Sequence, residues 1–247
     1  MNYFKIFTLI FIINISAGTP LTFFKNNNPT PDLSTPEYLE IIRPFLPKNP
    51  SILEAGADQG EDTVLLAKNW PHGIIYAFEP HPLHKIIVNH RLEETKINNV
   101  LFFPLALASS TEKRTFYCCS LPLLSGASSL LQDNNQGYQD ISIAVDCINL
   151  DEWAIKNNVN GIDFMWLDME GGEYEALSNA PKILKTVKVI ITELNCIEFR
   201  KGMKLFDEFY NFLKINGFEL YKSWGNNPEK QCTGLFIRSE LLTKSAY

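Results

Sequence analysis

Short apolar runs followed by turn or acidic residues recur along the chain between residues 51 and 195. The first run, Ser51–Ala55, stops at a glycine-containing turn, and an amphipathic segment follows at once. Three later runs stop at acids: Gly73–Phe78, Ile162–Leu167 and Val187–Thr192. Apolar runs of this length, bounded by turn signals, predict buried strands of a parallel sheet alternating with helices.

The rest of the pattern adds helices and strands around these four. Helices are predicted over Leu83–Glu94 and Met203–Ile215, the second with an apolar stripe at helical spacing. Further strands are predicted at Asn99–Leu107 (with a bend or sheet edge at Pro104), Thr111–Cys119, Ile141–Leu150, Gly217–Tyr221 and Thr233–Ile237. The last two form a hairpin, so we expect an α/β fold with a mostly parallel sheet, an antiparallel closing hairpin and helices on both faces.

The same pattern divides the chain into four parts. Residues 1–17 carry one lysine before an apolar run and end in small residues, as a secretory signal or short membrane anchor does. The alternative is an apolar helix packed on the domain. Residues 18–50 are predicted to be a Pro/Asn-rich linker with one short helix, residues 51–240 the main domain, and residues 241–247 a tail.

Composition narrows the functional classes. With 247 residues, 45% of them hydrophobic, the chain can bury one sizeable core. The formal net charge of -6 and the lack of a Lys/Arg run disfavour nucleic acid as a partner. The five cysteines form no Cys-x-x-Cys pair and no evident disulfide framework, which favours a reducing compartment.

The turn after the first strand is the first candidate site. Gly56 and Gly60 allow close approach of the backbone, and amides at the start of the next helix suit polar ligand atoms. Their spacing matches neither the dinucleotide fingerprint nor a P-loop, and such a turn alone can be purely structural. Glu79, about 20 residues further on, stands where doubly wound sheets hold ribose hydroxyls. Turn and acid together indicate a nucleoside site.

A second group of acids follows the strand at Ile162–Leu167. Asp168 and Glu170, separated by one residue, are expected on one face, where each raises the pKa of the other. That arrangement suits a proton acceptor or a cation site. Helix capping by Glu170 or Glu173 is the alternative, but it leaves Asp168 unexplained.

Two further groups have weaker signals. The polar loop containing Ser128 and Ser129 is either a wall of a second ligand's pocket or a surface insertion. His81 and His84 lack the carboxylate or cysteine partners of a metal site, so capping or packing is expected of them, and no metal site is predicted.

Five motifs occur in an order that resembles the FkbM-type methyltransferases: Glu54–Gly60, Ala77–Pro80, Ala106–Leu107, Leu150–Glu152 and Leu167–Glu173. The resemblance covers about Ser51 to Asn195. It implies a Rossmann-like class I fold and an S-adenosylmethionine-dependent enzyme that methylates hydroxyl oxygens on sugars or secondary metabolites. The chain departs from that family at Glu54, where Asp is usual, and at Asp58, where Asn is usual.

The resemblance also implies cofactor contacts. Gly56, Ala57 and Gly60 would border the methionine part of S-adenosylmethionine. Glu54 or Asp58 would lie near its amino group.

The remaining implied roles concern the nucleoside and the reaction. Glu79 would hold the ribose hydroxyls, and Ala106 and Leu107 would lie beside the adenine. Asp168 and Glu170 would sit by the sulfonium, one of them as general base for a hydroxyl. The implied partner is a small-molecule or glycan acceptor.

Two other functions stay open from the residues. A nicotinamide-dependent oxidoreductase is disfavoured by the glycine spacing and by the lack of a Tyr-x-x-x-Lys motif. The second open function is that of a non-catalytic cofactor-binding protein on the same fold. For location, we expect membrane association through residues 1–17 with the domain facing the cytosol, where the cofactor is made; cleavage after Ala17 and export is the alternative.

Overall fold

The computed structural model describes residues 37–118, 126–134, 139, 141–227 and 229–242. The signal-like segment 1–17 and most of the predicted linker lie outside the described residues, as do residues 243–247. Within the described ranges, none of the helices has both the length and the apolar character needed to cross a membrane.

The strands, in chain order, are β1 Ser51–Ala55, β2 Ile74–Phe78, β3 Val100–Phe103, β4 Ala106–Ala108, β5 Lys113–Cys118, β6 Ile141–Asn149, β7 Phe164–Leu167, β8 Val189–Asn195, β9 Phe218–Asn227 and β10 Gln231–Arg238. Seven of them form the main sheet in the order β3-β2-β1-β7-β8-β10-β9. The first five are parallel, and β10 runs antiparallel to both of its neighbours. The predicted α/β class with an antiparallel closing hairpin is confirmed.

The helices are α1 Glu37–Ile42, α2 Glu61–Asn69, α3 Pro82–Thr95, α4 Leu150–Lys156, α5 Glu173–Ser178, α6 Pro181–Leu184, α7 Phe206–Ile215 and α8 Ser239–Leu242, with a 3₁₀ turn at Arg43–Phe45. Capping explains where several of them begin. His81 Nδ1 accepts a hydrogen bond from the backbone N–H of Leu83 and so caps α3, as expected of it. The side chain of Asn149 caps α4 in the same way.

The predicted strand Asn99–Leu107 is wrong as a single element. It breaks at Pro104, which has no backbone N–H to give to a ladder, and the Leu105 N–H turns back to the Phe103 carbonyl at 2.8 Å. Strand β3 stays at the edge of the main sheet. Strand β4 leaves it and joins a three-stranded sheet in the order β4-β6-β5. This break brings Ala106 and Leu107 over the carboxyl edge of the main sheet.

Side-chain alternation divides the core between the two faces of the main sheet. Ile52 packs with Trp70 and Phe164 on one face, whereas Leu53 packs with Trp153 on the other. Burying large apolar side chains on both faces is what a parallel sheet requires. Helix α1 belongs to this core, because Leu39 and Ile42 are fully buried in the first of these clusters. The short helix predicted within the linker therefore packs as part of the domain.

Candidate functional site

The turn between β1 and α2 approaches the end of β7 very closely. Gly56 has a φ of 87°, and a Cβ built on it would lie 1.7 Å from the carbonyl oxygen of Asp168. Only glycine fits there. The N–H groups of Gly56 and Ala57 both donate to the carbonyl of Phe78 at 3.0 Å. These contacts hold the ends of β1, β2 and β7 together at one edge of the sheet.

Glu79 fixes the same edge from β2. One carboxylate oxygen accepts from the N–H of Asp58 at 3.0 Å, and the other accepts from the N–H of His81 at 2.7 Å. The side chain is almost completely buried. Asp58 has a φ of 44°, a left-handed conformation that its short polar side chain tolerates. Glu79 is thus oriented by two backbone groups before any ligand binds.

The acids after β7 converge for a different reason from the predicted one. Strand β7 ends at Leu167, so strand alternation does not place Asp168 and Glu170 on one face, and that reasoning is wrong. Instead, Glu170 and Gly171 adopt left-handed φ angles of 56° and 98°, which turn the chain back. Glu193 on β8 joins them, and ligand oxygens of Asp168, Glu170 and Glu193 lie within 4.8 Å of one another. Three carboxylates of this kind can hold a hard divalent cation or face a positively charged ligand group.

Arg200 partly neutralises this cluster. Its guanidinium forms an ion pair with Glu170 at 2.5 Å and donates to the carbonyl of Ala127 at 2.9 Å. Ser129 donates to the carbonyl of Glu170 at 3.0 Å. The side chain and backbone of Glu170 are therefore held by two different loops, while Asp168 has no such ion pair among the described residues.

Electrostatics distinguishes these acids further. Burial, then the charges of Glu170 and Glu173, raise the pKa of Asp168, while Arg200 opposes the shift. Asp168 is nevertheless exposed, and it lines the cavity. Burial also raises the pKa of Glu170, although Arg200 counters it. Asp168 is consequently a carboxylate of raised basicity that a ligand can reach.

A cavity of about 330 Å³ lies over this edge, a size suited to a small ligand. The sequence-predicted residues that line it are Gly56, Ala57, Asp58, Glu79, Ala106, Leu107, Ser128, Asp168 and Glu170. The structure therefore brings together residues from five separate segments of the sequence, as expected for a site at the carboxyl ends of parallel strands.

Three predicted residues stand behind the cavity instead of lining it. Glu54 is buried and accepts a hydrogen bond from Thr63 at 2.5 Å; burial raises its pKa to about 8 despite that bond. Gly60 precedes α2, and a Cβ on it would lie 3.2 Å from Val88. Ser129 is occupied with the Glu170 backbone. None of these three residues is among those that line the cavity.

Other lining residues were missed from the sequence. Asp62 lies in the first turn of α2, and Leu105 and Phe116 come from the turn before β4 and from β5. Asp62 carried a usable signal, since it is an acid in the first turn of the helix after Gly60. The others depend on how the small sheet folds over the main one. The run Val187–Thr192 was seen to stop at an acid, but Glu193 was not selected as a site residue.

Comparison with known proteins identifies the family. The family model of the methyltransferase FkbM domain matches residues 54–220, so the chain belongs to the FkbM methyltransferase family. It is similar to the 2-O-methyltransferase NoeI of Sinorhizobium fredii (strain NBRC 101917 / NGR234), with 23% identity over 198 residues, 76% of this chain and 81% of that protein.

A solved structure shares the fold. It is the methyltransferase FkbM from Methylobacillus flagellatus KT, with a TM-score of 0.51 and 14% identity. The likeness covers 77% of this chain but 44% of that one, less than half of its length. Family and fold together make the chain a class I methyltransferase with S-adenosylmethionine as its cofactor, and they favour the methyltransferase interpretation over the oxidoreductase.

The residues present fit that cofactor. Phe78, Leu105, Leu107 and Phe116 give the cavity an apolar part suited to a purine. The lining also includes the acids Asp58, Asp62, Glu79 and Asp168, whose negative charge suits a diol and a cationic sulfonium. A cavity lined by both kinds of residue suits a ligand that carries an apolar ring and a positive charge.

Proposed function

We propose that the enzyme transfers the methyl group of S-adenosylmethionine to a hydroxyl oxygen of a sugar, glycan or small hydroxylated metabolite. The supporting observation is Asp168, a carboxylate that lines the cavity, has a raised pKa and lies beside the turn at Gly56. The similarity to a protein named as a 2-O-methyltransferase points the same way. The net charge of -6 continues to disfavour nucleic acid as the acceptor.

In this proposal the two acids have separate roles. Asp168 takes the proton of the acceptor hydroxyl, because its carboxylate faces the cavity with raised basicity. Glu170 keeps the acidic turn in place through Arg200 and Ser129. The cofactor supplies an electrophilic methyl group, and the protein's main contribution is to align the hydroxyl with it.

The cofactor contacts follow from the same geometry. Glu79 accepts hydrogen bonds from the ribose hydroxyls, and Ala106 and Leu107 contact the adenine. Gly56 and Ala57 border the methionine part. Their support is that all five line one cavity, with Glu79 already oriented by backbone N–H groups.

The test replaces each acid by its amide. Asp168→Asn should lower kcat with a hydroxyl acceptor by about 10²–10⁴-fold, because the base is lost while the shape is kept. Cofactor affinity should persist. Glu170→Gln should lower kcat less than Asp168→Asn does. Glu170 positions the turn through its ion pair with Arg200 and does not take the proton of the acceptor. Asp146→Asn, an exposed acid on β6, is the control. A wild-type rate in Asp168→Asn would overturn the assignment of the base.

We further propose that residues 1–17 attach the protein to a membrane, with the catalytic domain on the cytosolic side. The support is the apolar run after Lys5 and the requirement of the reaction for a cytosolic cofactor. Cell fractionation with intact-mass analysis tests this. Recovery of the full-length chain with membranes is expected, and a secreted species beginning near Gly18 would overturn the proposal.

A further inference from the structure

His84 is a buried histidine that the reaction described above leaves without a role. It lies on α3 with 3% of its surface exposed, behind the cavity wall formed by Asp58 and Glu79. Its Nδ1 is 3.1 Å from Oδ1 of Asp58 and 3.6 Å from Oε1 of Glu79. One imidazole therefore faces two carboxylates that line the site.

The short contact requires a proton between the two atoms. Within the described part of the chain, Nδ1 of His84 and Oδ1 of Asp58 are both buried and have no other hydrogen-bond partner. Without such a proton, two acceptors would face each other at 3.1 Å. A hydrogen on Nδ1 satisfies both atoms, and the two carboxylates favour the cationic imidazolium.

The neighbouring charges support this assignment. The ring of His81 stacks on that of His84, with centroids 4.4 Å apart, but its Nδ1 accepts from the Leu83 N–H and so carries no proton. Burial, followed by the charge of His84, lowers the pKa of His81. Glu61 adds negative charge near Asp58. The positive charge in this group therefore belongs on His84.

We propose that His84 is a positioning residue for the ribose part of the cofactor site, where its imidazolium holds Asp58 and Glu79 side by side as hydrogen-bond acceptors. The proposal rests on the proposed role of Glu79 toward ribose. Without the imidazolium, two neighbouring carboxylates repel each other, and one of them must move or take up a proton. A protonated or displaced Glu79 is a poorer acceptor for a diol.

The proposal has a defined pH dependence. Burial alone lowers the pKa of His84, but the nearby carboxylate of Glu79, followed by the charge of Asp58, outweighs it and raises the pKa above the ordinary value. The imidazolium therefore persists to a higher pH than in an ordinary histidine and is lost as the pH rises through that raised pKa. Affinity for ligands with ribose hydroxyls should fall over the same interval.

The experiment measures binding of adenosine and 2′,3′-dideoxyadenosine by calorimetry. Neither nucleoside has the titrating amino group of the cofactor, and they differ only in the hydroxyls under test. We expect His84→Gln to weaken adenosine binding about tenfold and to leave dideoxyadenosine unchanged, because a charge-assisted contact is lost at the diol alone. His90→Gln, an exposed histidine on the same helix, is the matched control.

The outcomes separate the two proposals. If the wild-type protein binds both nucleosides equally, the ribose role of Glu79 fails. If it prefers adenosine and His84→Gln keeps the full preference, the role of His84 is overturned. Should the variant fail to fold by circular dichroism, a wild-type series from about pH 6 to about pH 9 decides. A constant adenosine preference across that series overturns the proposal, and a preference that falls with pH supports it.

Discussion

Glu79 combines structure and ligand recognition in one side chain. Both of its oxygens are engaged with backbone N–H groups of the flanking turns, yet each oxygen has a further lone pair and the residue lines the cavity. An acceptor that the backbone has already oriented loses little freedom when a diol binds.

This double role makes a prediction for Glu79→Ala. The affinity for S-adenosylmethionine should fall by about 1.5–3 kcal/mol, because the ribose hydroxyls lose a charged acceptor. The free energy of unfolding should also fall, since the N–H groups of Asp58 and His81 lose their partner. Calorimetry and urea unfolding measure the two effects, with the exposed Glu93→Ala as control. Unchanged cofactor affinity would contradict the role of Glu79 in binding the ribose hydroxyls.

Among the elements, α1 shows how a short helix outside the matched family region completes the core. The family match begins at residue 54, whereas α1 spans Glu37–Ile42. Its buried face packs with Trp70 from the end of α2 and Phe164 from β7, and Tyr38 contacts Trp166 edge-on at 5.1 Å. Six residues cannot form a stable helix alone, so α1 depends on this packing.

Leu39→Ala tests that dependence. Removing a fully buried leucine should lower the free energy of unfolding by about 2–5 kcal/mol through lost burial and the remaining cavity. Ile86→Ala on α3 is the control, because Ile86 is 66% exposed and should change stability little. Urea unfolding of both variants measures the difference. Equal effects at the two positions would show that α1 is not part of the folded domain.

At the scale of the whole molecule, the clustering of carboxyls makes stability depend on pH. Burial raises the pKa of Glu54 to about 8 and that of Glu173 to about 7, from 4.5 in each case. A carboxyl with a raised pKa in the folded state stabilises the fold fully below its unfolded pKa. That contribution is lost as the pH rises through the folded pKa. Stability should therefore fall between about pH 4.5 and about pH 8.

Glu54→Gln should flatten this fall, because glutamine can accept the hydrogen bond of Thr63 and does not ionise. The wild-type slope includes up to about 1.4 kcal/mol per pH unit from each such group. Glu175→Gln is the control. Hydrogen bonds from Ser109 and Arg114 outweigh burial and lower the pKa of Glu175. The pH dependence of stability that Glu175 contributes therefore lies below about pH 4.5. Urea unfolding across the interval measures the slopes. A wild-type slope in Glu54→Gln would contradict the buried carboxyl as its source.

Much of the fold and part of the site could be predicted because they depend on local patterns. Apolar runs bounded by turn residues located the parallel strands, and Gly56 and Glu79 could be placed at the ends of their strands. The acid at the end of the Val187–Thr192 run could be noted from the sequence, but its meeting with Asp168 and Glu170 could not. Arg200 could not be selected at all, since nothing near it in sequence shows that it pairs with Glu170. Asp168 and Glu170 were found, but the turn that joins them was not.

The sequence by itself determined the class of fold and the edge of the sheet where the chemistry lies, because side-chain periodicity and glycine turns are properties of short segments. The order of the five motifs carried the resemblance to the family. The tertiary structure decided which acids share a cavity, which of them Arg200 neutralises and which stand behind the wall. Those outcomes depend on distances between residues far apart in the chain, such as Glu170 and Arg200 or Asp58 and His84. Charge interactions and pKa values depend on these distances, so only the folded arrangement distinguishes the proposed base from its supports.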